Sequence, residues 1–299
     1  MTTNRFKTLM QREWMQHHRG WLGVMLVPPI IVIVLALMPF STVDLSGHER
    51  QPPMMLVALI AMAATACAVG GLSWITALFQ LPSLARRDQQ DRSIEFWLSL
   101  PAGHAESISA TLLMHAVVVP LMALFVGYLL GLPIALIMMT KAFGIGSLAD
   151  VSWAGVVITA LIGVLRVAVG FVLATLWIAP IVLALMAASA WLKRWGVPVL
   201  VGGTALLGGV LSKMYGNPIV GDLVKAQFSG ASRALFDSGR DLHTVKEDAG
   251  AVSDFLNQLG SWALHDVGTA ISQLASPHLI GGLVVAAACF GLMVLRRSR

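Results

Sequence analysis

The sequence has 299 residues, of which 57% are hydrophobic and 12% are charged. Its mean hydropathy is +0.79, whereas soluble domains carry about 25% charged residues, so an ordinary soluble domain is excluded. The net charge of +5 is not in itself an indication of nucleic-acid binding, and no nucleic-acid partner is expected. Uninterrupted apolar runs, in place of the short alternating segments of a β-barrel, predict an all-α polytopic membrane protein.

The first predicted element, 1–20, is an amphipathic helix that lies in the surface of the lipid bilayer. Its apolar side chains recur at helical spacing, and its basic side chains lie mostly away from them. The apolar face is formed by Phe6, Leu9, Met10 and Trp14. His17 and His18 follow, but adjacent histidines point in different directions on a helix and have no further ligand nearby in the sequence. No metal site is therefore predicted.

The remainder of the chain, 21–299, is predicted to be a single transmembrane domain of six spans, because charge-poor runs of about 20 residues cross a bilayer core of about 30 Å. The spans are 21–40, 54–81, a helix within 107–139, a helix within 151–191, 197–211 and 279–295. The fourth run is long enough for two spans. Splitting it would place two basic clusters outside, so one tilted or protruding helix is favoured.

The basic residues set the predicted topology. With both termini inside, the inner segments hold twelve Lys and Arg residues and the outer segments hold seven. Five of those seven lie in the connection 213–277, which is long enough to be translocated with little regard to its charge. The positive-inside rule therefore places both termini and the loop 82–106 in the cytoplasm, and it places 213–277 outside.

Arg166 is the one basic residue within a predicted span. It lies 27 residues before Lys193, which corresponds to about 40 Å of helix, so its expected place is near the outer headgroups. One interpretation is a charge that binds substrate or gates the path. The other, which we favour, is an arginine at the outer rim that snorkels or is paired.

The connection 213–277 is predicted to form two amphipathic helices. The apolar stripe of the first is Val220, Leu223, Val224, Phe228, Ala231 and Leu235. The apolar stripe of the second is Val252, Phe255, Leu256, Leu259, Ala263, Val267, Ile271 and Leu274. Together they would make a small extracytoplasmic helical cap. We interpret the cap as a lid packed on the spans; a site for substrate or for an accessory protein is the alternative.

The sequence has no motif for catalysis or for nucleotide binding. The phosphate-binding pattern GxxxxGK[ST] does not occur, and neither do HExxH, CxxC or GxSxG. No series of acidic or histidine side chains runs through the spans as a proton relay would require, and His115 is interpreted as a hydrogen-bonded core residue. The chain is therefore expected not to be an enzyme, with no catalytic residue, cofactor or metal of its own, and a transport function would need energy from a partner.

The loop between the second and third predicted spans combines charge with large apolar side chains. Within 86–101, Asp88 or Asp91 caps a short helix and Pro101 ends it. A helix of about two turns is too short to be stable alone, so it packs against something. Its apolar face either lies against the inner leaflet and its own spans, or fills a groove on a soluble partner.

The stretch RRDQQDRSIEFWLSLP in this loop resembles the cytoplasmic loop of type-two ABC exporter permeases. Many members of one bacterial branch read close to DRS-I-x-FW-x-SLP there. The matching residues are Asp91, Arg92, Ser93, Ile94, Phe96, Trp97, Ser99, Leu100 and Pro101. The N-terminal REW…HRGW and the layout of six spans with both termini inside are similar as well. The sequence departs from the pattern at Leu98, where members often carry lysine, and at 102–104, which follow the proline.

The resemblance implies a permease subunit that forms the substrate path as a homodimer or heterodimer in a bacterial inner membrane. The loop would be a coupling helix seated in a cleft of a separate ATP-binding cassette subunit, which would bind the ATP and Mg²⁺. The implied contact residues are Asp91, Arg92, Ile94, Glu95, Phe96, Trp97 and Leu98.

Two other functions remain open from the sequence. The chain could be a non-transport or mechanotransmitting component of an envelope complex, which overlaps with the resemblance because some complexes of this build act mechanically. A secondary transporter is the third function. It would need an internal repeat or intramembrane ion-binding charges, and the sequence shows neither.

Overall fold

The computed structural model describes residues 2–38, 54–90, 103–235 and 249–298. This part of the chain is helical apart from short turns, and it contains no β-strand. In chain order the helices are α1 (Thr2–Leu37), α2 (Met54–Gln90), α3 (His104–Leu113), a π-helical segment (Met114–Val118), α4 (Val119–Phe143), the one-turn α5 (Ser147–Asp150), α6 (Trp153–Leu192), α7 (Gly196–Tyr215), α8 (Ile219–Leu235), α9 (Ala249–Ser272) and α10 (Pro277–Arg297). The predicted all-α class is confirmed for these residues.

Within the described residues, five helical stretches are long and apolar enough to cross a membrane. They are Arg5–Leu37, Met54–Arg86, His104–Phe143, Trp153–Tyr215 and Pro277–Arg297. A segment of this length and composition buries its backbone polar groups in its own hydrogen bonds, which is what the bilayer core requires. The chain therefore has the make-up of a helical membrane protein.

The longest apolar stretch contains two helices, because α6 ends at a sharp turn. Lys193 adopts a positive φ of 53° and is the first residue of a short 3₁₀ turn, Lys193–Trp195. The chain then reverses onto the end of α6: a Cβ added at Gly196 would lie 2.4 Å from the carbonyl oxygen of Ala188. Only glycine permits this approach. The turn falls at the basic sequence WLKRW, between the fourth and fifth predicted spans.

Helix α6 itself runs without interruption for 40 residues and includes Pro180. At about 1.5 Å per residue it is about 60 Å long, twice the thickness of a bilayer core of about 30 Å. The run at 151–191 thus forms one helix, as expected. A helix of this length must tilt or project from the bilayer.

Small residues bring the central helices together. A Cβ added at Gly127 of α4 would lie 2.8 Å from Cα of Ala66 in α2, and one added at Gly131 would lie 2.9 Å from Cα of Met62. Backbones that approach this closely are typical of packing between transmembrane helices. Helices α2, α4 and α6 therefore form the centre of the bundle.

A polar contact fixes α2 against α6. The Trp74 indole Nε1–H donates to the Thr175 hydroxyl oxygen at 3.0 Å. The Trp74 ring also stacks on Phe171 at 5.7 Å between ring centroids. A buried indole N–H needs such an acceptor, so this pair sets the register of α2 on α6.

The connection 213–277 contains two helices, α8 and α9, as predicted, but α8 packs through only part of its predicted apolar stripe. Phe228 is 54% exposed, whereas Gly230, Ala231 and Ala234 are buried against the bundle. The reason is close approach: a Cβ added at Gly230 would lie 2.2 Å from the Trp177 ring of α6. The smallest side chains, not the largest apolar ones, mark the packed face.

Candidate functional site

The predicted partner-contact residues lie outside the described part of the chain. They are Asp91, Arg92, Ile94, Glu95, Phe96, Trp97 and Leu98. The structure describes the two helices on either side of them, α2 ending at Gln90 and α3 beginning at His104. At the start of α3, the Gly103 N–H donates to the Glu106 carboxylate at 3.3 Å, which satisfies one of the unpaired amides at a helix N-terminus.

The two helices that flank this loop also line a cavity. The cavity has a volume of about 300 Å³ and lies between α2, α3 with its π-helical segment, and α6. Its walls are aliphatic, among them Leu81, Leu112 and Val182, and the hydroxyls of Ser109 and Thr175 are its polar groups. This volume is near the lower end of the range for small-molecule sites in proteins, and the lining has few polar groups. Such a cavity fits an apolar ligand or part of an amphipathic one.

The apolar face predicted for the N-terminal helix contacts protein over part of its length. Leu9 is buried and Phe6 is half-buried. Met10 and Trp14 pack beside Trp21 in a cluster with side chains of the π-helical segment and α4. Helix α1 continues from Thr2 to Leu37 with no break at residue 20. The predicted interfacial helix and the first predicted span are thus one helix, whose buried residues lie between Leu9 and Pro29, whereas most of the large apolar side chains from Ile30 to Leu37 are exposed.

On the same helix, Glu13 turns into the bundle and meets a histidine of the π-helical segment. Glu13 is 2% exposed and His115 is fully buried. His17 lies one turn beyond Glu13, with its Nδ1 at 3.8 Å from Glu13 Oε2. One ligand atom from each of these three residues lies within 4.8 Å of the others. Two donors contact the Oε1 oxygen of Glu13. Arg12 Nη2 lies 2.7 Å and Thr111 Oγ1 lies 3.2 Å from it.

Sequence reasoning missed this group for a specific reason. Glu13 and His17 are four residues apart, so they share a face of α1, and this spacing was the available signal. The third member, His115, comes from a distant helix, as does Thr111, 98 residues from Glu13. His115 sits in the π-helical segment Met114–Val118, and its Nδ1 lies 3.0 Å from the Thr111 carbonyl oxygen.

Arg166 is buried and paired. Its Nε donates to Asp266 Oδ2 of α9 at 2.5 Å, and its Nη1 donates to the Ala234 carbonyl of α8 at 3.1 Å. Ala234 lies in the last turn of α8, where the carbonyls carry the negative end of the helix dipole. Arg166 is thus paired within the protein, while its expected place at the outer rim of the membrane stays a prediction. The side chain ties α6 to both helices of the connection 213–277.

No protein-family model, no curated protein and no solved structure matches this chain.

Proposed function

We propose that the chain is the transmembrane permease subunit of an ATP-driven ABC exporter. Two permease copies, identical or different, would form the substrate path, and each would bind a separate ATP-binding cassette subunit through the 86–101 loop. The observation that carries this proposal is the loop sequence DRSIEFWLSLP together with its place in the chain. It connects α2 to α3, and these are two of the three elements that line the apolar cavity.

The proposal includes a topology. Taking α6 and α7 as separate spans gives six spans, with α1, α2, the α3–α4 stretch and α10 as the others. Both termini and the loop then lie in the cytoplasm of a bacterial cell, and the connection 213–277 lies on the outer side of the inner membrane. The positive-inside rule supports this arrangement because the dense basic clusters fall on one side.

The contacts between helices provide a route for the coupling. When ATP closes the cassette dimer, the loop would move, and α2 and α3 would move with it. Leu81 of α2 and Leu112 of α3 face the cavity, so a displacement at the loop changes the cavity directly. Helix α6 forms the third wall, where Thr175 Oγ1 accepts from Trp74 of α2 and lies 3.2 Å from the Ala116 carbonyl. An apolar or amphipathic cargo suits such walls.

Co-purification tests the proposed coupling. The intact permease is expected to retain a candidate ATP-binding cassette protein when the two are co-expressed and purified in detergent. Phe96→Asp and Trp97→Asp are expected to lose that protein while the permease stays folded, because each places a charge in an apolar groove. Trp195→Asp is the matched control. Trp195 is 61% exposed in the turn between α6 and α7, on the same predicted side of the membrane.

Retention of the cassette protein by both loop variants would contradict the coupling role of the loop. ATP hydrolysis and cargo movement in reconstituted vesicles separate the remaining functions. Cargo movement driven by an ion gradient without ATP would contradict the proposal in favour of a secondary transporter. ATP hydrolysis that no cargo alters would favour a mechanical role in an envelope complex.

A further inference from the structure

We propose that Glu13, His17 and His115 form a binding site for a divalent transition-metal ion, with Zn²⁺ as the best match. One carboxylate and two imidazoles are a ligand set that zinc takes in proteins, with a water in the fourth position. The three side chains come from α1 and the π-helical segment, and their ligand atoms lie within 4.8 Å of one another. The site concerns residues of this chain alone and does not depend on the proposed transport function.

Both histidines are oriented as metal ligands usually are. His115 Nδ1 lies 3.0 Å from the Thr111 carbonyl oxygen, and His17 Nδ1 lies 3.2 Å from the Glu13 carbonyl oxygen. A carbonyl oxygen only accepts, so each Nδ1 carries the proton. When the ring is neutral, Nε2 is then the nitrogen of each histidine that can coordinate a metal. A ligating histidine that donates its other N–H to a backbone carbonyl is the usual arrangement around a protein metal.

The Glu13 carboxylate is oriented by its neighbours as well. Arg12 and Thr111 both lie at its Oε1, at 2.7 Å and 3.2 Å. Its Oε2 is the oxygen on the side of His17, 3.8 Å from the ring Nδ1. One oxygen is therefore held by two donors, whereas the other lies beside the His17 ring on its Nδ1 side.

The surrounding side chains make the site rigid and shield it from water. His115 is fully buried and Glu13 is 2% exposed, so solvent competes little for the ligands. The Trp21 ring stacks on His17 at 5.4 Å and meets His115 edge-on at 5.0 Å between ring centroids. Rings fixed by packing lose little freedom when they coordinate a metal.

A metal at this position would link α1 to the helical stretch that forms one wall of the cavity. Ala116 and Leu112 face the cavity from the same helical stretch that presents Thr111 and His115 toward Glu13. The π-helical segment inserts an extra residue at this level, and such segments are frequent at functional sites. Bound metal is therefore expected to hold the N-terminal helix against the helix that follows the loop.

Metal titration of the full-length chain tests the site. The protein is purified in detergent with a tag that contains no histidine, stripped with a chelator, and titrated with Zn²⁺ by calorimetry and with Co²⁺ by visible absorption. About one equivalent of either ion is expected to bind, with the d–d bands of four-coordinate Co²⁺. His17→Ala and Glu13→Gln are expected to weaken binding by about tenfold or more. His115→Ala should do the same where it folds.

His18→Ala is the matched control, because His18 is the next residue on α1 and its Nδ1 lies 3.0 Å from the Met15 carbonyl oxygen, away from the group. It is expected to bind metal as the unaltered protein does. Zn²⁺ is also expected to raise the melting temperature of the unaltered protein and of His18→Ala but not of His17→Ala. Absence of binding by the unaltered protein, or an equal loss in His18→Ala and His17→Ala, would overturn the proposal.

Discussion

Breaking the buried ion pair between Arg166 and Asp266 is expected to loosen α8 and α9 from α6. In Asp266→Asn the guanidinium stays buried without its counter-charge. The Arg166 side chain is 3% exposed and that of Asp266 is 10% exposed, so solvent screens the charges little. Removing one partner of a buried pair costs about 3–5 kcal/mol. We expect a loss of free energy of unfolding in that range, measured by titration with a denaturing detergent.

Hydrogen exchange locates the loss. The amides of α8 and α9 are expected to exchange faster in Asp266→Asn, while those of α2 and α4 are expected to change little, because the contacts of Arg166 within the described ranges join α6 to α8 and α9. The double variant Arg166→Met with Asp266→Leu is expected to recover most of the stability, since an apolar pair carries no desolvation cost. The control is Asp222→Asn, an exposed carboxylate on α8.

The reasoning would be refuted if Asp266→Asn were as stable as Asp222→Asn. It would also be refuted if the double variant lost the sum of the losses measured separately for Arg166→Met and for Asp266→Leu, because that additivity means that the two side chains do not interact.

Two further predictions concern the centre of the bundle. Gly127→Leu is expected to destabilise the fold by at least about 1–3 kcal/mol, because its Cβ would lie 2.8 Å from the Ala66 backbone. Gly163→Leu is the control, since a Cβ at Gly163 has no atom within 4 Å. Equal melting temperatures of the two variants in detergent would contradict the packing described. Trp74→Phe removes the donor to Thr175 and is expected to cost about 0.5–1.5 kcal/mol in the same assay, with the loss largely absent when Thr175 has already been replaced by valine.

The positions of the helices follow from the sequence because each depends on local signals. An apolar run of the right length predicts a helix wherever it occurs, and the basic turn at Lys193 separates α6 from α7 as expected. The length of α6 was also predictable, since Arg166 is the one charged residue in the run 153–192. Local signals do not show that α1 continues through residue 20, because a change in composition does not require a break in the backbone.

The pairings between distant residues could not be predicted. Arg166 and Asp266 are 100 residues apart, and no feature of either segment indicates that the two side chains form a pair. The packed face of α8 was predicted only in part: Ala231 of the stripe is buried, but Phe228 is exposed, because Gly230 lets the backbone lie directly on Trp177. For the loop at 86–101 the sequence remains the source of the prediction, since its contact residues lie outside the described ranges.

Photo-crosslinking tests most directly whether the loop binds an ATP-binding subunit. A benzophenone amino acid replaces Trp97 in one variant and Ile145 in another. Ile145 is 79% exposed and follows the far end of the helical stretch that begins after the loop. After irradiation of cells that co-express a candidate ATP-binding cassette protein, we expect a crosslink to that protein from position 97 and none from position 145. No crosslink from position 97, or equal crosslinks from both positions, would contradict the account.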